Sequence, residues 1–401
     1  MKRRALFALL YVSEGAPIGF AWWALPTHLR AEGVGIELIT LLASLLPLPW
    51  AFKFLWAPVV DTCRSVRWTY RSWILLSQGL MGLTLIPLIF VDSSASLTLI
   101  FICLIAHAMF AATQDVAIDA LCVSLLPAEE RGRANGWMQA GMLLGRSMFG
   151  GGTLILLSAA GLRGVVLILV GLLAAIAWVV ARSDSLADPV MQTGNRETPA
   201  RSMRRAFSVV LRTKRVWFGL GYAAVAGAVF EGLGSVAGPF LIDSGLTEAG
   251  VGSFFALPVV LAMSIGALLG GAMSDRMGAF KSVRLTYAGL FGAVMLLSVT
   301  VYAGAGSPVM TSSLVGLVYL GIGFFTASTY AMFMDVTVDA YRGTSFSAYM
   351  GATNLCESWS AFSVGKLVVA FGYGPAFGVL AAVSVGSLLF LRRLRDDTPL
   401  G

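Results

Sequence analysis

Asp115-Val116-Ala117-Ile118-Asp119-Ala120 recurs 220 residues later as Asp335-Val336-Thr337-Val338-Asp339-Ala340. Aspartates four apart share one face of a helix, and both copies stand in apolar surroundings. Outward from this pair, other matches appear at similar separations. Glu14-Gly15 matches Glu231-Gly232, Pro26 matches Pro239, Gly33 matches Gly245, Leu46-Pro47 matches Leu257-Pro258, and Asp61 matches Asp275, all between 211 and 220 residues apart. Matches scattered along the chain at a nearly constant offset indicate a parallel duplication, with each half one repeat of the architecture.

The composition says what is repeated. Apolar residues make up 57% of the 401 positions and charged residues 12%, whereas a soluble domain carries about 25% charged residues. That excludes both a soluble globule and a disordered chain. About 20 apolar residues at 1.5 Å rise cross a ~30 Å hydrocarbon core. Twelve such runs can be read, near 5–27, 37–60, 73–91, 97–119, 134–157, 162–181, 216–241, 249–274, 284–304, 311–334, 346–369 and 374–391. The first follows Lys2, Arg3 and Arg4 as a signal peptide would, but it contains Glu14 and continues to Leu25, so it reads as a retained helix. The expected fold is an all-α polytopic membrane protein of twelve transmembrane helices in two six-helix pseudo-symmetric bundles. The bundles would be 1–181 and 216–401, joined by a polar, basic linker over 182–215 whose arginines suit anionic lipid headgroups.

With the N-terminus placed in the cytoplasm, 23 of the 28 Lys and Arg residues fall in inner segments, which is the positive-inside pattern. The net charge of +7 is therefore a topology signal rather than a nucleic-acid footprint, and both termini are expected in the cytoplasm. Cys63, Cys103, Cys122 and Cys356 lack metal-ligand spacing, and the two histidines stand far apart. No metal, cofactor or disulfide framework is expected. Without a phosphate-cradling GxxxxGK[ST] loop or a catalytic cluster, neither an ATP-driven pump nor an intramembrane enzyme is indicated.

Gly271-Ala272-Met273-Ser274-Asp275-Arg276-Met277-Gly278 with Lys281 resembles the signature loop of the major facilitator superfamily; Ala57-Pro58-Val59-Val60-Asp61 with Arg64 and Arg67 is its reduced first-half form. Three further stretches are similar to the AmpG-type permeases of the peptide and acetyl-coenzyme A transporter branch. They are Phe52-Lys53-Phe54-Leu55-Trp56-Ala57-Pro58, Arg71-Ser72-Trp73-Ile74-Leu75, and Thr113-Gln114-Asp115 followed by Leu126-Pro127-Ala128-Glu129-Glu130-Arg131-Gly132. The resemblance implies a major-facilitator fold in a bacterial inner membrane and a monomeric, proton-driven importer working by alternating access. Its solute would be an anhydro-muropeptide or, in the RhtX/FptX-like subgroup that this compact chain is more similar to, a ferric siderophore. Where AmpG-like chains carry an arginine in a Gly-Tyr-Arg-Leu-Gly stretch, Leu143 stands in this chain and Arg146 follows a turn later.

Charged groups inside hydrocarbon are costly and usually face a cavity or a partner. Glu14 and Glu231, at equivalent midmembrane places, are the expected proton carriers, with His107 as a further titratable candidate; a permanent helix-to-helix ion contact is the alternative for the glutamates. Arg146 is expected to clasp a substrate carboxylate with its planar fork or to neutralise a nearby acid. Glu357, Trp22, Trp23, Phe230 and Trp359 complete the expected substrate contacts. Glycines beside Glu14 and Glu231, with Pro17 and Pro239, are expected to loosen their helices. Asp61, Asp115, Asp119, Asp275, Asp335 and Asp339, with Arg131, Arg276 and Arg342 as basic partners, are expected to form a gate, and direct proton binding is the alternative. Lys53 and Lys366 are expected to snorkel. A drug or metabolite exporter and a non-transporting receptor or assembly protein are the rival functions.

Overall fold

A computed structural model describes residues 3–63, 65, 67–90, 97–126, 128–186, 208, 212–338 and 342–396. The side chains of residues 61, 62, 128, 129, 131–133, 135, 184, 342 and 343 lie outside the description. All regular structure among the described residues is helical. Among the described residues, ten helices are long and apolar enough to cross a membrane. One of them, Gly136–Ala181, is interrupted at Gly161, whose φ of 61° and ψ of 173° no helix accommodates. A positive φ of this kind is open to glycine at little cost. Dividing it there and adding the 30-residue helix Arg342–Phe371 fits the twelve spans expected.

In chain order the helices are α1 (Arg3–Ala31), α2 (Ile36–Leu55, continued by Ala57–Thr62), α3 (Tyr70–Ile89), α4 (Leu97–Leu125), α5 (128–160) and α6 (162–181). The second set is α7 (Lys214–Asp243), α8 (Glu248–Met277), α9 (Ala279–Tyr302), α10 (Pro308–Asp335), α11 (Arg342–Phe371) and α12 (Tyr373–Asp396). Packing separates two units. The first holds Met1–Glu32, Phe52–Ala200 and Glu248–Ala256; the second holds Gly33–Ala51, Arg201–Thr247 and Leu257–Gly401. Each unit therefore includes one stretch from the other half of the sequence.

In the first unit α1 and α5 are held together by glycines. A Cβ on Gly15 would lie 2.2 Å from the Met142 carbonyl oxygen, and one on Gly141 would lie 2.1 Å from that of Ala8. Gly19 and Gly145 repeat the arrangement one turn on, against the Arg146 and Ala16 backbones. Two GxxxG stretches thus face one another, and the backbone approach they allow supplies the dispersion contact that hydrophobicity cannot provide in lipid. The expectation that Gly15 and Gly19 loosen the helix is corrected: missing side chains here bring two helices into contact. The local irregularity lies just beyond Pro17, where α1 widens into a π turn over Phe20–Ala24.

A second π turn, Ser147–Gly151, follows Arg146 in α5, and a third begins at Phe255 in α8. The three meet. Trp23 stacks on Phe255 at 5.2 Å, Gly151 abuts the Ala256 backbone, and Ser147 donates through Oγ to the Ala256 carbonyl. Beyond them His28 Nδ1 lies 2.8 Å from Glu248 Oε1, tying the end of α1 to the start of α8.

The second unit repeats the glycine device between α8 and α10. Cβ atoms on Gly266 and Gly323 would each come within 2.2 Å of a facing carbonyl oxygen, those of Leu320 and Met263. Its segment of α2 packs on α11: Ser358 donates to the Ser44 carbonyl, and Gly365 leaves room for the Thr40 side chain. Lys366 pairs with Glu37 at 3.5 Å, with both side chains more than half exposed.

Candidate functional site

Lys53 owes its position to the way α2 ends. The helix breaks at Leu46-Pro47, resumes over Leu48–Phe52, then tightens into a 3₁₀ turn, Lys53–Leu55, before Pro58 starts the last short helix. On that turn the ammonium meets α4: Lys53 Nζ lies 2.5 Å from Asp115 Oδ2, with side-chain exposures of 27% and 9%. The expected snorkelling of Lys53 is overturned. An ammonium beside a buried carboxylate gains more from pairing than from reaching for water, because an unpaired partner would stay desolvated.

Tyr11, from α1, completes the arrangement. Its hydroxyl is 2.9 Å from Asp119 Oδ1 and 3.3 Å from Asp115 Oδ1. A phenol has one hydrogen to give, so it serves one carboxylate at a time and switches between them without moving far. Glu14, one turn beyond Tyr11, is 2% exposed and within electrostatic reach of both Tyr11 and Lys53. Next to it Ser13 Oγ accepts from Gln78 Nε2 at 2.9 Å and Gln114 Nε2 at 3.2 Å while donating to the Leu10 carbonyl. The outcome is a polar seam across α1, α2, α3 and α4 in which one ammonium pairs with Asp115 and lies within electrostatic reach of Asp119 and Glu14. Asp119 is the member with exposed surface, whereas Asp115 and Glu14 are buried.

The acids of this site number two more than its cations when all are ionised. Like charges this close in a poorly polarisable setting repel strongly, and a proton is the smallest species that relieves the imbalance. Four of these positions, Tyr11, Lys53, Asp115 and Asp119, come from three helices that the sequence separates widely. The repeat reproduces the two aspartates, as Asp335 and Asp339, but neither Lys53 nor Tyr11. By the offsets of their neighbours, Lys53 corresponds to Ser264, which bonds within its own helix to the Val260 carbonyl, and Tyr11 corresponds to Ala228.

Arg146 stands on α5 where that helix meets α1 at Gly19. It is half-buried, its Nε is buried, and no described side chain pairs with it. Guanidinium groups in such settings are normally matched by a planar anion.

Glu231 on α7 is half-buried near Gly227 and Cys356, and Glu357 is half-buried on α11. His107 is 4% exposed and bonds through Nδ1 to the Met81 carbonyl at 3.0 Å, with Thr84 Oγ1 at 3.4 Å; no described carboxylate pairs with it. Trp23 is buried against Phe255, Trp359 donates to the Ala224 carbonyl at 2.9 Å, Phe230 packs edge-on to Phe325 at 6.0 Å, and Trp22 is half-buried.

Of the expected gate, Asp275 and Arg276 are exposed at the end of α8 and pair with no described residue. Asp335 is exposed at the end of α10, where its carbonyl oxygen accepts from Arg215 Nη2 at 2.8 Å. Asp339 and the side chains of Asp61, Arg131 and Arg342 lie outside the described residues. Asp115 pairs with Lys53, while the side chains of its expected partners Arg131 and Arg342 are not among the described ones. Sequence reasoning missed Tyr11 and Lys53 as site residues. The available signal was a lysine in an apolar run immediately before a proline break.

Similarity to known proteins agrees with this architecture. The Major Facilitator Superfamily profile matches residues 6–365. The chain is 24% identical over 414 residues to the protein named putative transporter AmpG 4 of Rickettsia conorii, covering 96% of this chain and 95% of that one. It is 26% identical over 412 residues to the anhydromuropeptide permease of Escherichia coli, covering 97% and 79%. Among solved structures, the nucleoside transporter NupG superposes with a TM-score of 0.74 at 14% identity, covering 98% and 99%. A D-xylose-proton symporter superposes with 0.74 at 12%, covering 98% and 96%. At such identities the superpositions speak for the fold alone. With the profile spanning most of its length, the chain belongs to the major facilitator superfamily and is a multi-pass membrane transporter.

Proposed function

We propose that this transporter imports a bulky polar solute across the bacterial inner membrane by alternating access, with protons as the coupling ion. The observation that carries the reading is the site of Tyr11, Glu14, Lys53, Asp115 and Asp119, where three acids share one cation. Asp119, the member with exposed surface, loads the proton. The Tyr11 hydroxyl, bridging both aspartates, passes the change to Asp115, and a protonated Asp115 loosens its hold on Lys53. Conformational exchange then proceeds without the uncompensated charge that would otherwise oppose it. One pH unit supplies about 1.4 kcal/mol for this, and 100 mV of membrane potential about 2.3 kcal/mol per charge. In this reading Glu14 contributes to the proton site, Glu231 is its secondary counterpart in the repeat, and His107 is a packing residue. The aspartate-bearing helix ends act as the gate.

Arg146 is the proposed anion contact for the solute, supported by its half-buried guanidinium with no described carboxylate beside it. The relative named anhydromuropeptide permease supports an anhydromuropeptide as solute class, with a siderophore as the second reading. The test is uptake of labelled anhydro-muropeptide into vesicles containing the purified protein, under an imposed pH gradient. Accumulation that collapses on adding a protonophore supports the reading, and undiminished accumulation refutes the coupling.

A further inference from the structure

Between α9 and α12, within the second unit, lies a cleft of about 560 Å³ that the transport reading does not use. Its two walls are amphipathic along their length. Arg284 is on the first turns of α9, while Arg392 and Arg395 are on the last turns of α12; the apolar lining runs inward from them through Tyr287, Phe291 and Leu388. Arg284 and Arg392 pair with no described acid, and Arg395 has only a 3.5 Å contact with its exposed neighbour Asp396. The apolar wall is firm. Tyr287 donates or accepts a 2.7 Å bond with Ser384 and stacks on Phe291.

The first half of the chain supplies an internal control. Arg71 and Arg182 stand 213 residues before Arg284 and Arg395. There, protein groups consume both guanidiniums: Arg71 donates to the Ala181 carbonyl, and Arg182 lies over the Trp178 ring at 4.6 Å. At the position matching Trp178 the second half has Leu391, which offers no π face. The arginines therefore remain at the cleft mouth.

We infer that this cleft is a binding site for an anionic phospholipid. Its phosphate is held by Arg284, Arg392 and Arg395, and one acyl chain lies along Tyr287, Phe291 and Leu388. A charged rim over an apolar depth matches an amphiphile, whereas a free phosphate would leave the apolar wall uncovered. Basic pockets between transmembrane helices are suited to such headgroups, and guanidiniums bind phosphate by paired hydrogen bonds. The inference does not depend on the proposed solute or on proton coupling.

The test is native mass spectrometry of the full-length protein, titrated in detergent with phosphatidylglycerol, cardiolipin or phosphatidylcholine. Anionic lipid is expected to be retained in preference to phosphatidylcholine. The combined variant R284Q/R392Q/R395Q should weaken that retention on the order of tenfold or more, whereas R71Q/R182Q should leave it unchanged. Excess inorganic phosphate should not displace the lipid. A288W, which keeps every arginine and fills the cleft from α9, should weaken retention comparably and decides the matter if the triple variant does not accumulate. Equal retention of phosphatidylcholine, displacement by phosphate, or full retention by A288W would overturn the inference.

Discussion

Lys53 Nζ and Asp115 Oδ2 are 2.5 Å apart, on helices that the chain separates by 62 residues, and the carboxylate is almost completely shielded from solvent. Asp115 belongs to the very hexapeptide whose repetition reveals the duplication, yet its partner has no counterpart in the second half. The pair thus makes the two halves of the sequence chemically unequal at this position.

Removing the cation alone should be costly. Lys53→Met leaves Asp115 buried without its partner, and breaking a buried pair in this way costs about 3 kcal/mol. A lowered unfolding temperature and loss of gradient-driven uptake by at least tenfold are expected. The double variant K53M/D115N should regain most of the stability and none of the uptake. Thermal unfolding in detergent and vesicle uptake measure the two effects separately; recovery of transport in the double variant would show that the pair is structural.

Asp119 should divide coupling from exchange. Asp119→Asn keeps a hydrogen-bonding partner for Tyr11 but cannot take up a proton. Equilibrium exchange of labelled for unlabelled solute should continue within about a factor of three of the native rate, a ratio worth ~0.7 kcal/mol. Accumulation against a gradient should disappear. Parallel counterflow and gradient assays decide this, and loss of both together would argue for a role in folding or solute binding.

Arg146 is expected to govern affinity more than coupling. Arg146→Gln should raise KM for an anionic solute at least tenfold, and Arg146→Lys should recover only part of it, because an ammonium does not reproduce the planar fork. The proton-to-solute ratio should stay unaltered at saturating solute. A changed ratio with unchanged KM would place Arg146 in the proton path instead.

The glycine contact between α1 and α5 should tolerate no side chain. Gly15→Ala puts a methyl 2.2 Å from the Met142 carbonyl oxygen, which belongs to backbone and cannot swing aside. A loss of about 1–3 kcal/mol is expected, as for overpacking elsewhere. Gly79→Ala, with open space around it, should be neutral or slightly stabilising. Equal unfolding temperatures for the two variants would contradict the packing account.

The fold was legible because it rests on length and offset. Runs of apolar residues long enough to cross a bilayer, and the repeated Asp115 and Asp335 stretches, are properties of the linear chain. Glu14 could be singled out for the same reason, since a carboxylate in an apolar run has to be accommodated somewhere. Lys53 and Tyr11 were not legible. Their importance comes from where the broken end of α2 and the first turns of α1 arrive beside α4, and no local pattern encodes that meeting. Gly15 and Gly19 were visible as glycines but misread, because a missing side chain either loosens a helix or admits a neighbour. Only the position of α5, with its own Gly141 and Gly145, distinguishes the two.

Adding solute to vesicles of the native protein in weakly buffered medium, and following external pH with a dye, tests the proton site most directly. Native protein is expected to alkalinise the medium in proportion to the solute that enters. The variant D115N/D119N, shown by its unfolding profile to be folded, is expected to give no pH change. Proton movement of native size per solute in that variant would contradict the assignment of coupling to this cluster.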